Sequence, residues 1–143
     1  MYKKIVLKKG KEESLLRKHP WVFSGAILKM DETLEEGELV QVYTHNGNFI
    51  GVGHFQIGSI TVRILSFSDV SIDADFWQSC LKAAWAVREA IGVIRPEGDG
   101  ACTTGETVNT TYRLVHGEGD NLPGLIVDVY GTTCVLQAHS VGM

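Results

Sequence analysis

The stretch from Glu38 to Phe67 constrains the fold most, because it packs three short β-type runs and their turns into thirty residues. Leu39, Val40, Val42 and Tyr43 lead into His45-Asn46-Gly47-Asn48, and Phe49-Ile50-Gly51-Val52-Gly53 returns. Asn-Gly between such runs predicts a tight two-residue hairpin, whose two turn positions need positive φ. From Ser59 to Phe67 the pattern alternates, with Ile60, Val62 and Ile64 on one face and Thr61, Arg63 and Leu65 on the other. Glycines at 51, 53 and 58 point to bulges or close backbone approach. Strands this short and this closely spaced predict a compact barrel or sandwich.

The preceding residues add smaller pieces. Ile5-Val6-Leu7 reads as a first strand, Lys9-Gly10-Lys11 as a turn, and Glu12 to Lys18 as a helix that must end before Pro20. Trp21 to Phe23 and Ala26 to Met30 read as strands, with the Trp21 and Phe23 rings expected in the core. Charge is distributed unevenly. Residues 1–30 hold eight Lys or Arg against Glu12 and Glu13, a balance of +6, and the remainder carries −10, for a net −4. A basic segment on an acidic body is the footprint of a local anionic partner, although such runs are often only solvated surface.

The pattern changes after residue 70. Asp73 is placed to cap a helix, and Phe76, Cys80, Ala84, Val87 and Ile91 recur at helical spacing, widened by Trp77 and Leu81. That stripe predicts a core face, ending at Gly92. Residues 95–110 read as a polar loop. Tyr112 to Val115, Leu125 to Val129 and Thr133 to Ala138 read as strands, with a type II turn at Leu122-Pro123-Gly124. The expected organisation is one domain over residues 1–70 and a second over 71–143, incomplete, with unpaired strand edges.

No complete active site is legible. The Gly-x-Gly pairs at Gly51/Gly53, Gly98/Gly100 and Gly117/Gly119 lack the third glycine and following helix of a dinucleotide fingerprint. The phosphate-loop spacing from Gly100 to Thr107 puts Glu106 where a lysine belongs. Cys80 and Cys134 read as core and Cys102 as a loop residue. The five histidines are scattered, so neither a metal site nor a nucleophilic triad is expected. Three well-separated cysteines, no apolar run of membrane length and no secretory signal lead to the expectation of a cytoplasmic protein without membrane association.

Two motifs are more specific. Leu15-Leu16-Arg17-Lys18-His19-Pro20-Trp21-Val22-Phe23-Ser24-Gly25-Ala26-Ile27, with Gly37-Glu38 and Gly51-Val52-Gly53 after it, resembles the PUA domain, a small RNA-binding pseudobarrel. The likeness is strongest to the version at the N-terminus of bacterial 23S rRNA cytosine-5 methyltransferases. Arg113 to Gly131, containing His116-Gly117-Glu118-Gly119-Asp120-Asn121-Leu122-Pro123-Gly124, resembles the central EEHEE-like α/β domain of those enzymes. The resemblance implies an α+β, mainly β chain: a PUA-like pseudobarrel followed by a helix and β strands of an incomplete second domain. It implies S-adenosylmethionine for the full-length family, bound by a C-terminal Rossmann domain that this chain lacks. The family's Pro-Cys and Ser/Thr-Cys contexts are not matched, since Thr133-Cys134 falls far too early. No cofactor and no catalytic residue are therefore expected here, and the chain is expected to be a shortened form.

By position, the resemblance implicates Arg17, Lys18, Ser24, Gly25, Gly53, His54 and Arg63 in contact with RNA, here 23S rRNA. Lys9 and Lys11 extend the basic surface. Arg and Lys would meet phosphates, and glycine would let backbone N–H groups approach. Glu118, Asp120 and Asp128 are expected either to shape a methyl-transfer cleft or, for Asp120 with Asn121, to fix the turn before Pro123. The expected function is an RNA-recognition part of an rRNA methyltransferase. The alternatives are an interaction or dimerisation module built on exposed strand edges, and a small self-contained enzyme.

Overall fold

The computed structural model describes residues 2–94 and 110–143. The chain forms two units: the first runs to Ser71 and takes in His139–Met143, and the second is Ile72–Ala138. The first unit thus recovers five C-terminal residues that the sequence reading had put in the second.

In the first unit, β1 (Lys3–Leu7), β2 (Trp21–Phe23), β3 (Ile27–Lys29), β4 (Leu39–Tyr43), β5 (Phe49–Phe55) and β6 (Ile60–Ser66) form one sheet in the order β2-β6-β5-β4-β1-β3. All neighbours run antiparallel except β1 and β4. The Ser24 N–H bonds to the Ser59 carbonyl at 2.9 Å and the Lys8 N–H to the Ala26 carbonyl at 2.8 Å, tying strand ends together as in a pseudobarrel. Ile5, Leu7, Val22, Val40, Val42, Ile50, Phe55, Val62 and Ile64 fill the interior, with Leu15 from the short helix α1 (Glu13–Leu16). The mainly β, α+β character is as the sequence predicts.

Glycine has a steric reason on β5. A Cβ on Gly53 would run into the Arg63 carbonyl and lie 2.8 Å from Ile64 Cα, and one on Gly51 would lie 2.7 Å from the Ser66 oxygen. The ladder between β5 and β6 shifts register beside Gly53, so the strands close on each other where side chains are absent.

Local details depart from expectation. The Asn46-Gly47 hairpin is not the two-residue type: of that pair only Gly47 has positive φ, at +83°. Thr44 and Asn48 pair across a three-residue loop, with the Thr44 N–H on the Asn48 carbonyl at 2.8 Å and the Asn48 N–H on Thr44 Oγ1 at 3.0 Å. One left-handed glycine is what that longer loop requires. Helix α1 stops at Leu16, and the chain reverses through Lys18 at φ +66° because Pro20 bars a helical His19. Strand β6 is not solvated on its second face, since Thr61 and Leu65 are buried with Val62 and Ile64. On that face His54 lies under the returning C-terminal residues: a Cβ on Gly142 would lie 2.7 Å from His54 Cβ.

The second unit is α2 (Ala74–Ala90) and a meander of β7 (Thr111–His116), β8 (Leu125–Tyr130) and β9 (Thr133–Ala138). The Asp73 carboxylate accepts the Phe76 N–H at 3.0 Å, and Gly92 follows the helix at φ +75°. The type II turn is present, with Gly124 at φ +91° and the Leu125 N–H on the Leu122 carbonyl at 2.9 Å. The expected core stripe of α2 is not a core. Among its residues only Ala84 is buried, whereas Leu81, Trp85, Val87 and Ile91 are 39–67% exposed. Cys134, expected inside, is exposed, and Cys80 is half-buried. The reason is shared: among the described residues of this unit one helix and three strands cover one flank of each element, and β9 pairs with β8 alone.

Candidate nucleic-acid interface

Part of the basic N-terminal segment lies beside α1 and β2: Lys11 lines a cleft there, and Arg17 and Lys18 are exposed just after α1, whereas Lys3 pairs with Glu38 and Lys4 lies over the Tyr43 ring. The β period places Trp21 and Phe23 on one side of β2 and Val22 in the core, where it is 1% exposed. A cleft of about 350 Å³ opens there, lined by Lys11, Ser14, Trp21, Phe23, Gly25 and Ala26, with Leu15 at its base. His19, Trp21 and Phe23 form a ring cluster. Trp21 is edge-on to His19 at 5.3 Å and to Phe23 at 6.4 Å, while His19 and Phe23 lie within 27° of parallel. The Trp21 N–H donates to His19 Nδ1 at 3.3 Å, which orients the imidazole. Across the β2–β6 ladder Trp21 faces Arg63, whose guanidinium lies 5.7 Å from the indole centroid. Lys18, reversed by its positive φ, lays its ammonium 4.7 Å from the Phe67 ring.

Of the residues singled out in the sequence, Lys11 and Gly25 line this cleft, and Arg17 and Lys18 are exposed just after α1. Ser24 is exposed in the 3₁₀ turn that holds Gly25, and Lys9 is exposed in the turn after β1. Arg63 is half-buried against Trp21. Gly53 and His54 are elsewhere: both are buried in β5, and burial pushes the His54 imidazole below its ordinary value. Neither presents an exposed side chain, and the glycine at 53 has a packing reason in the close approach of the Arg63 backbone. The rings of Trp21 and Phe23 correct the expectation of core placement, since Phe23 is 46% exposed. His19 and Ser14 were not anticipated. The signal for His19 is the period of two running back from Phe23 through Trp21; Ser14, on α1, carries none. Lys8 is likewise committed to this surface, donating to the Gly25 carbonyl at 2.9 Å.

The acidic residues of the second unit form a different arrangement. Arg88 on α2 binds both carboxylate oxygens of Asp120, one of them at 2.7 Å, and its Nε donates to the Arg113 carbonyl at 3.1 Å. Asp120 also accepts the His116 N–H at 2.6 Å. Burial opposes its ionisation, but the Arg88 and His116 bonds outweigh this and hold the carboxyl below the usual carboxylate range. Arg113 in turn binds Asp128 through Nε at 2.7 Å and Nη2 at 3.0 Å, which lowers the Asp128 carboxyl as well. Each carboxylate is thus engaged at both oxygens by an arginine and braces this unit, and Asp120 also holds the His116 N–H at the start of the turn that follows β7. Glu118 lies in the 3₁₀ turn Gly117–Asp120, half-buried. The phosphate-loop-like spacing, Cys102 and the Gly98/Gly100 pair lie outside the described residues.

Nor do the described residues fit S-adenosylmethionine. No strand among them runs through a glycine turn into a helix N-terminus, and the N-terminus of α2 is already closed by the Asp73 carboxylate. No helix is long and apolar enough to cross a membrane among the described residues.

Residues 5–67 match the family model of the PUA-like domain. Ribosomal RNA large subunit methyltransferase I of Klebsiella pneumoniae subsp. pneumoniae is 35% identical over 144 residues, covering 99% of this chain and 33% of the relative. The enzyme of the same name from Escherichia coli O139:H28 is 37% identical over 141 residues, again covering 33% of the relative. The chain thus spans about a third of the length of the curated relatives it matches. Among solved structures, a Streptococcus mutans chain assigned as a SAM-dependent methyltransferase superposes with a TM-score of 0.76 at 17% identity, over 99% of this chain and 34% of that one. A methyltransferase chain complexed with SAH gives 0.75 at 18% identity.

Proposed function

Because residues 5–67 are a PUA-like domain and the chain aligns with the N-terminal third of ribosomal RNA methyltransferases, we propose that it is an rRNA-recognition region of a SAM-dependent cytosine-5 methyltransferase. In this reading it binds 23S rRNA and leaves methyl transfer, with its cofactor, to residues outside the described set. The observation that carries the proposal is the α1–β2 cleft lined by Lys11, with Arg17 and Lys18 exposed just after α1, Lys9 exposed in the turn after β1 and Arg63 opposite Trp21 on the adjoining strand. Exposed Lys and Arg side chains neutralise phosphates, and the release of counterions makes such binding steeply salt-dependent.

The test is a salt titration of an rRNA hairpin by fluorescence anisotropy. With roughly three to five phosphate contacts, log affinity against log salt slopes between about −2 and −4. Replacing Arg17 and Lys18 together by Ala weakens binding and flattens the slope by about one to two units. Sequence preference barely changes, because phosphate contacts position the protein without reading bases. Lys82→Ala, on α2, changes nothing. A double variant with wild-type affinity and slope would reduce the basic face to solvated surface.

One feature favours a second reading, self-association. All six residues of β9 are exposed, and the strand carries neither charge nor proline to guard its edge. Light-scattering mass measured across a hundredfold dilution tests it: a mass that stays monomeric removes this reading and leaves the RNA proposal untouched.

A further inference from the structure

Resting on the RNA reading above, we propose that the α1–β2 cleft holds one unpaired nucleobase stacked on Phe23, so that this face selects single-stranded or looped RNA over duplex.

Phe23 lies on the edge strand of the sheet, 46% exposed, with its ring lining the cleft. Trp21 stands perpendicular to it and His19 nearly parallel, which holds the Phe23 ring in one orientation. A preset aromatic face is what base stacking uses, since every base offers a π-surface. Gly25, which also lines the cleft, supplies a second observation. It has no positive φ to justify glycine, and a Cβ there would meet nothing within 4 Å. The fold itself therefore does not require glycine at a position that lines the cleft. Glycine there leaves the backbone open to the close approach of an incoming group.

The surroundings identify that group. Lys11 lines the cleft, and Lys9, Arg17 and Lys18 are exposed in the turns that flank α1, a basic setting that suits the phosphates on either side of a base better than a purely apolar occupant. In a duplex both faces of each base are covered by its neighbours, so stacking on Phe23 is open only to a base in a loop, bulge or single strand.

The experiment uses a single-stranded RNA octamer carrying one 2-aminopurine, whose fluorescence is quenched on stacking, and a duplex of the same sequence. Wild-type protein quenches the octamer and binds it at least tenfold more tightly than the duplex. Phe23→Ala lowers octamer affinity by about tenfold and abolishes quenching. Its salt slope stays at the wild-type value because no phosphate contact is lost, and Phe23→Tyr restores both signals. Gly25→Val, placed in open space, leaves the melting temperature unchanged and weakens the octamer. If Phe23→Ala retains affinity and quenching while the Arg17/Lys18 variant loses affinity, the face binds RNA without stacking and this inference falls alone. If the wild type binds neither RNA, the RNA reading falls and carries this inference with it.

Discussion

The first unit is held by what it excludes from water, the second by what it pairs. In the pseudobarrel ten core side chains are sealed inside six strands, and β5 and β6 approach until only glycine fits at Gly51 and Gly53. In the second unit Val115, Leu122, Val127 and Val129 are buried, but α2 contributes only Ala84. Its attachment to the meander depends on Arg88 reaching Asp120 and the Arg113 carbonyl. Dense packing resists volume changes of a single methyl group, whereas an ion-paired brace resists volume change poorly and responds to charge. The two halves should therefore fail under different perturbations.

The largest effect is expected from Gly53→Ala. The added methyl meets Arg63 backbone, which cannot rotate away as a side chain can. A loss of about 3 kcal/mol or more is expected in the first unit, at the upper end for overpacking. Amide exchange resolved by segment measures it: β4 to β6 lose protection while β7 and β8 keep theirs. Equal loss in both units would show that they unfold as one and would erase the distinction.

Acid should reverse the order of damage in two steps. Asp120 and Asp128 have carboxyls held below the ordinary value of 3.8, so the unfolded chain binds more protons and stability falls as pH drops through and below that value. Asp120→Asn removes the acid-sensitive pair in advance. It is expected to cost the second unit about 2 kcal/mol at pH 7, a partly buried pair broken on one side, and to flatten its profile below pH 4. The smaller effect belongs to the first unit. The His54 imidazole is lowered from 6.5 by burial, so its contribution is intact above that pH and declines as pH falls beneath it. Thermal melts of wild type and His54→Gln between pH 7.5 and 5 measure this. A variant whose profile parallels the wild type would show that His54 does not titrate on unfolding.

Much of this was legible in the chain. The β-rich first half, the Asp73 cap, the Pro123-Gly124 turn and the close approach at the β5 glycines follow from local rules acting over a few residues. The candidate site was partly legible, because the basic excess of residues 1–30 is linear information. What misled was the use of apolar pattern as a sign of burial. Phe23 and the α2 stripe have core-like periodicity, yet Phe23 lies on an edge strand and α2 is covered on one flank only. His54 differs the other way: the resemblance implicates it in RNA contact, but the chain returns 88 residues later to place Gly142 on it.

The sequence by itself determined the order of strands and helices, the turn positions and the sign of the charge at the N-terminus. These depend on φ preferences, periodicity and composition, which neighbours in the chain settle among themselves. Only the tertiary structure decided which aromatic rings face out, which carboxylates meet arginines, and that Gly53 serves packing while Gly25 stands open. Burial and pairing depend on what a distant segment brings alongside. That is set by strand order and chain return, and no local pattern encodes it.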